Sequence, residues 1–262
     1  MSDILEELSE LRRADAAERE KSLSLRALEQ AISGMDKTRD FFAAFKAGGA
    51  RARIIAELKK ASPSEGLIRE DFDYQHIATS FEKAGATAIS VLCECPRFLG
   101  SEEYLKEVRR LVSIPLLYKD FITTRYQIAA ARVAGADAVL LIAAVLDDKT
   151  LAELLEIAHE YGLQALVETH TAVEIGRAVQ SGARIIGVNC RNLRTFKTDP
   201  ALTAELIAKI PADVTRIGES GIKTHDDILR VKAAGADGFL IGTTLMRAKD
   251  PGLKLKQLMG LA

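Results

Sequence analysis

Ala134-Gly135-Ala136-Asp137-Ala138-Val139-Leu140-Leu141-Ile142 is the stretch on which the fold turns. Ala138–Ile142 is continuously apolar, as expected of a strand buried on both faces of a parallel sheet. Gly135, just ahead of it, is free to take the left-handed conformation that ends a helix. The same break recurs as Ala84-Gly85-Ala86, Ser181-Gly182-Ala183 and Ala234-Gly235-Ala236-Asp237, at spacings of 50, 47 and 53 residues, each time before an apolar run. A recurrence every two strand–helix units suits a barrel assembled from duplicated pieces, while independent helix caps account for each triplet singly.

Outward from these breaks, β-branched or leucine-rich runs alternate with helical stretches: Arg53–Leu58, Ala88–Leu92, Pro115–Lys119, Ala138–Ile142, Gln164–Glu168, Arg184–Asn189, Thr215–Glu219 and Gly238–Gly242. Eight strand candidates over roughly 210 residues leave about 26 residues per unit, a comfortable size for a strand and its helix. The expected fold is α/β, a (β/α)8 TIM barrel with an N-terminal helical extension. In that extension Leu5, Leu8, Leu11, Leu23, Leu25, Leu28 and Ile32 stand at near-helical spacings among charges, predicting one or two amphipathic helices. Met35 to Ala52, with Gly34, Gly48 and Gly49 in or beside it, reads as the link to the main body. The organisation expected is an extension over residues 1–48 and a catalytic barrel over 49–262, one domain overall.

Composition narrows the function classes. Thirty-six Lys and Arg against 37 Asp and Glu give a formal net charge of −1, which offers no general attraction to nucleic acid or to acidic membranes. Hydrophobic residues at 48% and charged residues at 28% are ordinary for a globular enzyme and exclude wholesale disorder. The longest apolar run, Ala138 to Leu146, is about half the length of a membrane span. The acidic start Met1-Ser2-Asp3-Ile4-Leu5-Glu6-Glu7 lacks the basic region and apolar core of a signal peptide. Cys93, Cys95 and Cys190, an odd and sparse set, read as reduced thiols. A cytoplasmic location is expected, as a monomer or weak dimer.

The chemistry of such a barrel sits at the C-terminal strand ends. Those ends carry Glu57 and Lys59, Cys93-Glu94, Lys119-Asp120-Phe121, Glu168, Asn189-Cys190-Arg191, Glu219-Ser220-Gly221 and Leu240-Ile241-Gly242-Thr243-Thr244. Glu57 and Lys59 are two residues apart, as are Asn189 and Arg191, so each pair faces one side of the sheet. Carboxylates (Glu57, Glu168, Glu219) and lysines (Lys59, Lys119) sharing a cavity shift one another's pKa values, as general acid–base work requires. A structural ion-pair layer would account for any one of these residues, but less well for the set.

Ser220-Gly221 and Gly242-Thr243-Thr244 follow the last two strands, where barrels bind phosphate through backbone N–H groups and a short helix N-terminus. Ser62 and Ser64, after the first strand, would close that ring. Phe98 and Phe121, each just past a strand end, would stack on an aromatic substrate or cap the barrel. Cys93 and Cys95 have no second Cys or His pair nearby, so no metal site is expected. His170 is a weak candidate for the base of a thiol, and His76, His159 and His225 read as surface residues.

Five segments together carry a family resemblance: Ile55-Ala56-Glu57-Leu58-Lys59-Lys60-Ala61-Ser62-Pro63-Ser64, Leu117-Tyr118-Lys119-Asp120-Phe121-Ile122, Ile186-Gly187-Val188-Asn189-Cys190-Arg191-Asn192-Leu193, Gly218-Glu219-Ser220-Gly221-Ile222, and Phe239-Leu240-Ile241-Gly242-Thr243-Thr244-Leu245-Met246. From about Arg53 to Arg247 the chain resembles the indole-3-glycerol phosphate synthases, whose N-terminal helical extension it also shares. The resemblance implies a carboxy-lyase of tryptophan biosynthesis that converts 1-(2-carboxyphenylamino)-1-deoxyribulose 5-phosphate to indole-3-glycerol phosphate, carbon dioxide and water, with no cofactor. It makes Lys119 the general acid of condensation, Glu168 the group for later proton transfers, and Lys59 an acid or carboxylate anchor. Glu57, Asn189 and Glu219 would orient the lysines and the substrate hydroxyls, supported by Arg191. Lys59, Ser62, Ser220, Gly221, Gly242 and Thr243 would hold the phosphate, with Ser64 and Leu240 also at the substrate. Phe98 and Phe121 would line the aromatic pocket. Cys93 stands where the family usually has Thr, and Arg97, where it has an aromatic or small residue, is expected beside the pocket within reach of a substrate carboxylate. Two other readings remain at this stage. A sugar-phosphate isomerase would use the same phosphate loops with fewer acid–base groups, and a silent binding barrel would be expected to have lost Lys119 or Glu168.

Overall fold

Eight parallel strands close on themselves in the computed structural model of the chain, which describes residues 4–46, 51–191 and 200–262. In chain order the elements are α1 (Ile4–Ser22), α2 (Leu25–Ser33), α3 (Phe41–Lys46), β1 (Ile54–Leu58), β2 (Ala61–Ser62), β3 (Gly66–Leu67), α4 (Tyr74–Ala84), β4 (Ala88–Leu92), α5 (Glu102–Leu111), β5 (Leu116–Lys119), α6 (Arg125–Val133), β6 (Ala138–Ile142), α7 (Asp148–Glu160), β7 (Gln164–Thr169), α8 (Ala172–Gln180), β8 (Ile185–Asn189), α9 (Pro200–Ile207), β9 (Thr215–Glu219), α10 (His225–Ala233), β10 (Gly238–Ile241), α11 (Thr243–Met246) and α12 (Pro251–Leu258). The barrel runs β1-β10-β9-β8-β7-β6-β5-β4 and closes where β4 pairs with β1. Every expected strand is present within a residue or so of its expected ends, and the fold is the (β/α)8 barrel. β2 and β3 form a small antiparallel hairpin in the loop after β1, an element that no sequence signal marked.

The repeated glycine break has a structural cause. Gly135 sits at φ +97° and Gly85, Gly182 and Gly235 at +91°, +84° and +106°, so each ends its helix in the left-handed region. The aspartate that follows two of them caps the neighbouring strand. Asp137 Oδ2 accepts from Leu116 N at 2.8 Å, and Asp237 Oδ2 accepts from Arg216 N at 2.9 Å. Asp137 is fully buried and also takes Arg39 N and Arg109 Nη1, each at 2.7 Å.

Side-chain parity then builds two apolar layers. On β1, Ile54, Ala56 and Leu58 pack outward against the helices, while Ile55 points into the barrel with Leu117, Leu166, Ile185, Ile217 and Leu240. The inward layer is floored by α3, whose Phe41 and Phe45 are 0% and 1% exposed and belong to the same cluster. The Met35 to Ala52 stretch is therefore more than a link. Phe41 and Phe45, four apart on one helix face, plug the barrel, and a Cβ on Gly238 would stand 2.7 Å from the Phe45 ring. The expected 48/49 boundary lies outside the described residues, as do Asn192 and Leu193. No described helix is long and apolar enough to cross a membrane.

Candidate active site

On six of the eight strands the inward position beyond the apolar layer is occupied by a polar group or a glycine, while β6 continues with apolar Leu140 and Ile142. Ile55 leads to Glu57, Leu117 to Lys119, Leu166 to Glu168, Ile185 through Gly187 to Asn189, Ile217 to Glu219, and Leu240 to Gly242. The period of two that packs the core thus lifts acid–base residues onto one ring at the mouth. They line a cavity of about 840 Å³, and every residue expected in catalysis or substrate binding except Arg97 lies in its wall. Glu57, Lys59, Lys119, Glu168, Asn189 and Glu219 form the polar centre; Ser62, Ser64, Arg191, Ser220, Gly221, Gly242 and Thr243 form one end; Phe98, Phe121 and Leu240 contribute apolar surface.

Lys119 Nζ stands 3.1 Å from Glu168 Oε2 and 3.6 Å from Glu219 Oε2. Burial by itself would favour the neutral amine, but Glu168, Glu219 and Glu57 outweigh it and raise the lysine pKa above its ordinary value. Burial likewise opposes ionisation of Glu168. Lys119, His170 and Asn189, whose Nδ2 donates to Glu168 Oε1 at 3.0 Å, override it and hold this carboxyl below the usual carboxylate range. Glu219 is pushed the other way, by burial and by the charges of Glu168 and Glu57 against the pull of Lys119. Two neighbouring carboxyl groups driven in opposite directions are the electrostatic mark of an acid–base site.

Lys59 Nζ pairs with Glu57 Oε1 at 2.8 Å. Glycine makes room for this layer: a Cβ on Gly187 would collide with Glu219 Oε1, and one on Gly242 with Glu57 Oε1. At the other end Ser220, a non-glycine residue at φ +61°, donates its hydroxyl to Asn189 Oδ1 at 2.7 Å. A backbone held in that region is strained, and here it sits beside Gly221 in the loop that faces the start of α11. Arg191 Nη1 donates to Ser64 Oγ at 2.9 Å and lies 3.6 Å from Glu65 Oε1, which ties the loop after β1 to the end of β8. Glu57 Oε2, Glu219 Oε1 and Thr243 Oγ1 are buried without a hydrogen-bond partner, on residues that line the cavity.

Several expectations change. Arg97 is not in the cavity wall: its Nη2 donates to Glu7 Oε1 at 2.8 Å, so its charge is spent on α1 rather than held towards a substrate carboxylate. Glu94, at the end of β4, is fully buried and accepts from Arg97 N and Phe98 N at 2.9 and 2.7 Å. It shapes the loop that presents Phe98 and does not reach the cavity. The Cys93 thiol is buried and its pKa is pushed up by that burial, which disfavours a nucleophilic thiolate, and His170 lies between Glu168 and Glu174 instead. Phe98 and Phe121 do meet in the wall, with ring centroids 6.1 Å apart. Among the described residues no group of three His, Cys, Asp or Glu side chains is placed to share a metal ion.

The leucine spacing predicts α1 as a helix but does not place it at the site. Ile4, Leu5 and Leu8 line the cavity beside Phe98, and Arg12 Nη2 donates to the buried Asp120 Oδ2 at 2.6 Å, fastening the helix to the end of β5. The leucine spacing announced a helix with an apolar face; nothing local says where that face docks. Lys223, Arg247 and Lys254 also line the cavity, brought there by loops and helices whose sequence carries no motif for it.

Fold and site together define an acid–base barrel whose mouth offers cations and small-residue loops at one end and aromatic surface at the other. A profile of the family described as indole-3-glycerol phosphate synthase matches residues 5–258. The chain is 44% identical over 264 residues to the indole-3-glycerol phosphate synthase of Albidiferax ferrireducens, covering 100% of both chains. It is 51% identical over 209 residues to that of Ruminiclostridium cellulolyticum, covering 80% of each. Thiamine phosphate pyrophosphorylase from Pyrococcus furiosus, at 16% identity, shares the fold with a TM-score of 0.60 over 80% of this chain and 94% of that one. The chain belongs to the indole-3-glycerol phosphate synthase family.

Proposed function

We propose that this barrel closes the indole ring of 1-(2-carboxyphenylamino)-1-deoxyribulose 5-phosphate, releasing carbon dioxide and water to give indole-3-glycerol phosphate, as the family membership indicates. The observation that carries the residue roles is Lys119, buried as an ammonium between Glu168 and Glu219 at 3.1 and 3.6 Å. The anilino ring carbon bearing the carboxylate attacks the ketone carbon, and the carbonyl electrons move onto oxygen. Lys119 gives that oxygen its proton. An alkoxide is more basic than even a raised lysine, so the transfer runs downhill. Loss of carbon dioxide returns its bonding pair to the ring and restores aromaticity. Glu168 then removes a proton from the carbon next to nitrogen, while the hydroxyl leaves as water on a proton from Lys59. Glu57 holds Lys59, Asn189 orients Glu168, and Glu219 sets the second contact of Lys119. Ser62, Ser64, Ser220, Gly221, Gly242 and Thr243, with Lys59 and Arg191 beside them, receive the phosphate; Phe98, Phe121 and Leu240 receive the aromatic ring. The chemistry calls for no cofactor.

We also place the reaction in the cytoplasm, where three thiols outside any disulfide fit a reducing compartment. The protein is taken as a monomer or weak dimer: large exposed apolar side chains such as Leu11, Leu67, Leu111, Val173 and Leu253 are scattered over different elements. The barrel with its extension is taken as one domain, since α1 and α3 close the two ends of a single core.

Fluorescence of the product during incubation with the synthetic substrate tests the reaction. Metal-independent turnover is expected, and Lys119→Ala should abolish it, by about a thousandfold or more in kcat, with substrate affinity within a few-fold of wild type. A Lys119→Ala variant that kept most activity would remove Lys119 as the acid. Binding without turnover by the wild type would leave the pockets standing and sink the reaction.

A further inference from the structure

His170 is the one histidine whose ring lies against the site. It opens the short loop from β7 into α8, with Nε2 3.4 Å from Glu168 Oε1 and Nδ1 3.4 Å from Glu174 Oε2. Its own backbone N–H donates to that same Glu174 oxygen at 2.7 Å, and Thr171 Oγ1 donates to the other at 3.0 Å. Glu174 is therefore fixed before it meets the imidazole. From the cavity axis outward the charges alternate: Lys119, Glu168, His170, Glu174. Of the other groups packed on this corner, Glu219 faces Glu168 across Lys119, its Oε2 3.6 Å from the lysine Nζ. The turn Ala143–Val145 has no titratable side chain, Asn189 contributes an amide to Glu168 Oε1, and Arg177 is turned to Asp148 and to the carbonyls of Ala143 and Leu146. Burial disfavours an imidazolium here, but the two carboxylates prevail and push its pKa up to about 10.

The proposed reaction creates a need for this cation. Glu168 is held as an anion in the resting site with Lys119 as its inner partner. Once Lys119 has passed its proton to the substrate oxygen, that partner is a neutral amine. Glu168 is 5% exposed, and burial then drives it to take up a proton before its own turn as base. We propose that His170 is a positioning residue that acts through Glu168, its imidazolium keeping the outer carboxylate oxygen ionised between the two proton transfers, with Glu174 fixing the ring. This rests on the reading of Glu168 as the base.

The sign follows from linkage: removing a neighbouring cation raises the pKa of a carboxylate, so the acid side of the pH profile must move to higher pH. His170→Gln is expected to shift the acid limb of kcat upward by about one pH unit, a loss of about tenfold at any pH on the falling part of the limb, with less than about threefold lost on the plateau and KM nearly unchanged. Glu174→Gln, which leaves the imidazole in place without its outer partner, should shift the limb the same way by less. It also carries the test if His170→Gln fails to fold. An unmoved limb in both variants, whether activity is normal or reduced equally at every pH, overturns the proposal. Glu168→Gln separates the two claims: it should be inert throughout. If it is inert while the other variants keep the wild-type limb, only the role of His170 falls; if it is active, the reading of Glu168 falls and His170 with it. A readout independent of turnover is the NMR titration of the His170 ring, expected to stay charged well above pH 7; an ordinary midpoint near 6.5 overturns the proposal.

Discussion

Gly187 shows how finely the site is set at the scale of one residue. It stands on β8 at the inward position between Ile185 and Asn189, where the strand pattern calls for a side chain, and it has none because Glu219 from β9 fills the space. An added methyl would meet the far end of a flexible carboxylate, so the carboxylate gives way rather than the sheet. Gly187→Ala is therefore expected to lower kcat by at least about tenfold, roughly 1.4 kcal/mol of barrel-mouth alignment. The thermal midpoint should move by less than about 4 °C. Loss of fold with proportionate loss of activity would place the role of Gly187 in packing alone. The inward positions of Glu57, Lys119, Glu168 and Glu219 follow from parity and are legible in the sequence. Which oxygen faces which nitrogen is not, because that depends on the shear between strands far apart in the chain. His170 illustrates the limit: its type and place were visible, its two carboxylate partners only in part, since Glu174 is four residues on but Glu168 reaches it only through the turn of the loop.

At the scale of elements, the chain uses the same cap more than once. Asp137 and Asp237 each follow a left-handed glycine by two residues and each accept a backbone N–H at the start of the preceding strand, Leu116 N and Arg216 N, so the repeated Gly-Ala-Asp is a device for starting two strands together. Asp137 carries more, because it also draws in Arg109 and the backbone of Arg39 and so ties the extension to the barrel floor. Asp137→Ala would leave Arg109 and two backbone donors without their buried acceptor. A loss of about 3–5 kcal/mol is expected, lowering the thermal midpoint by roughly 10 °C, with kcat at low temperature unchanged because the floor lies at the opposite end from the chemistry. Calorimetry beside an activity assay checks both halves. Strands were easy to find, since a both-faces-buried strand is apolar without interruption and its glycine cap marks its start. Harder was α3, where six residues with three phenylalanines lie in a glycine-flanked segment. A helix so short has little propensity of its own and exists because the barrel floor receives Phe41 and Phe45.

On the scale of the whole molecule, the extension and the barrel make one site. Leu5 and Leu8 of α1 complete the apolar side of the cavity, and Arg12 on Asp120 holds them there. Leu8→Ala removes contact area without touching the acid–base ring, so KM is expected to rise by about three- to tenfold, on the order of 1 kcal/mol, with kcat within twofold. An unchanged KM would make α1 a stabilising strap and nothing more. By itself the sequence determined the barrel, its eight strands, the ring of polar residues at their ends and the family, because these rest on local signals: a period of two, a glycine cap, a motif read along one strand. Only the tertiary structure decided that α1 walls the substrate cavity, that α3 plugs its floor, that Arg97 serves Glu7, and that Glu168 and Glu219, which share one lysine, are driven in opposite directions because burial and the neighbouring carboxylates outweigh that lysine at Glu219 alone. Each of those is a contact between segments distant in the chain, chosen by packing and by charges summed across the closed barrel, and no stretch of sequence holds both partners.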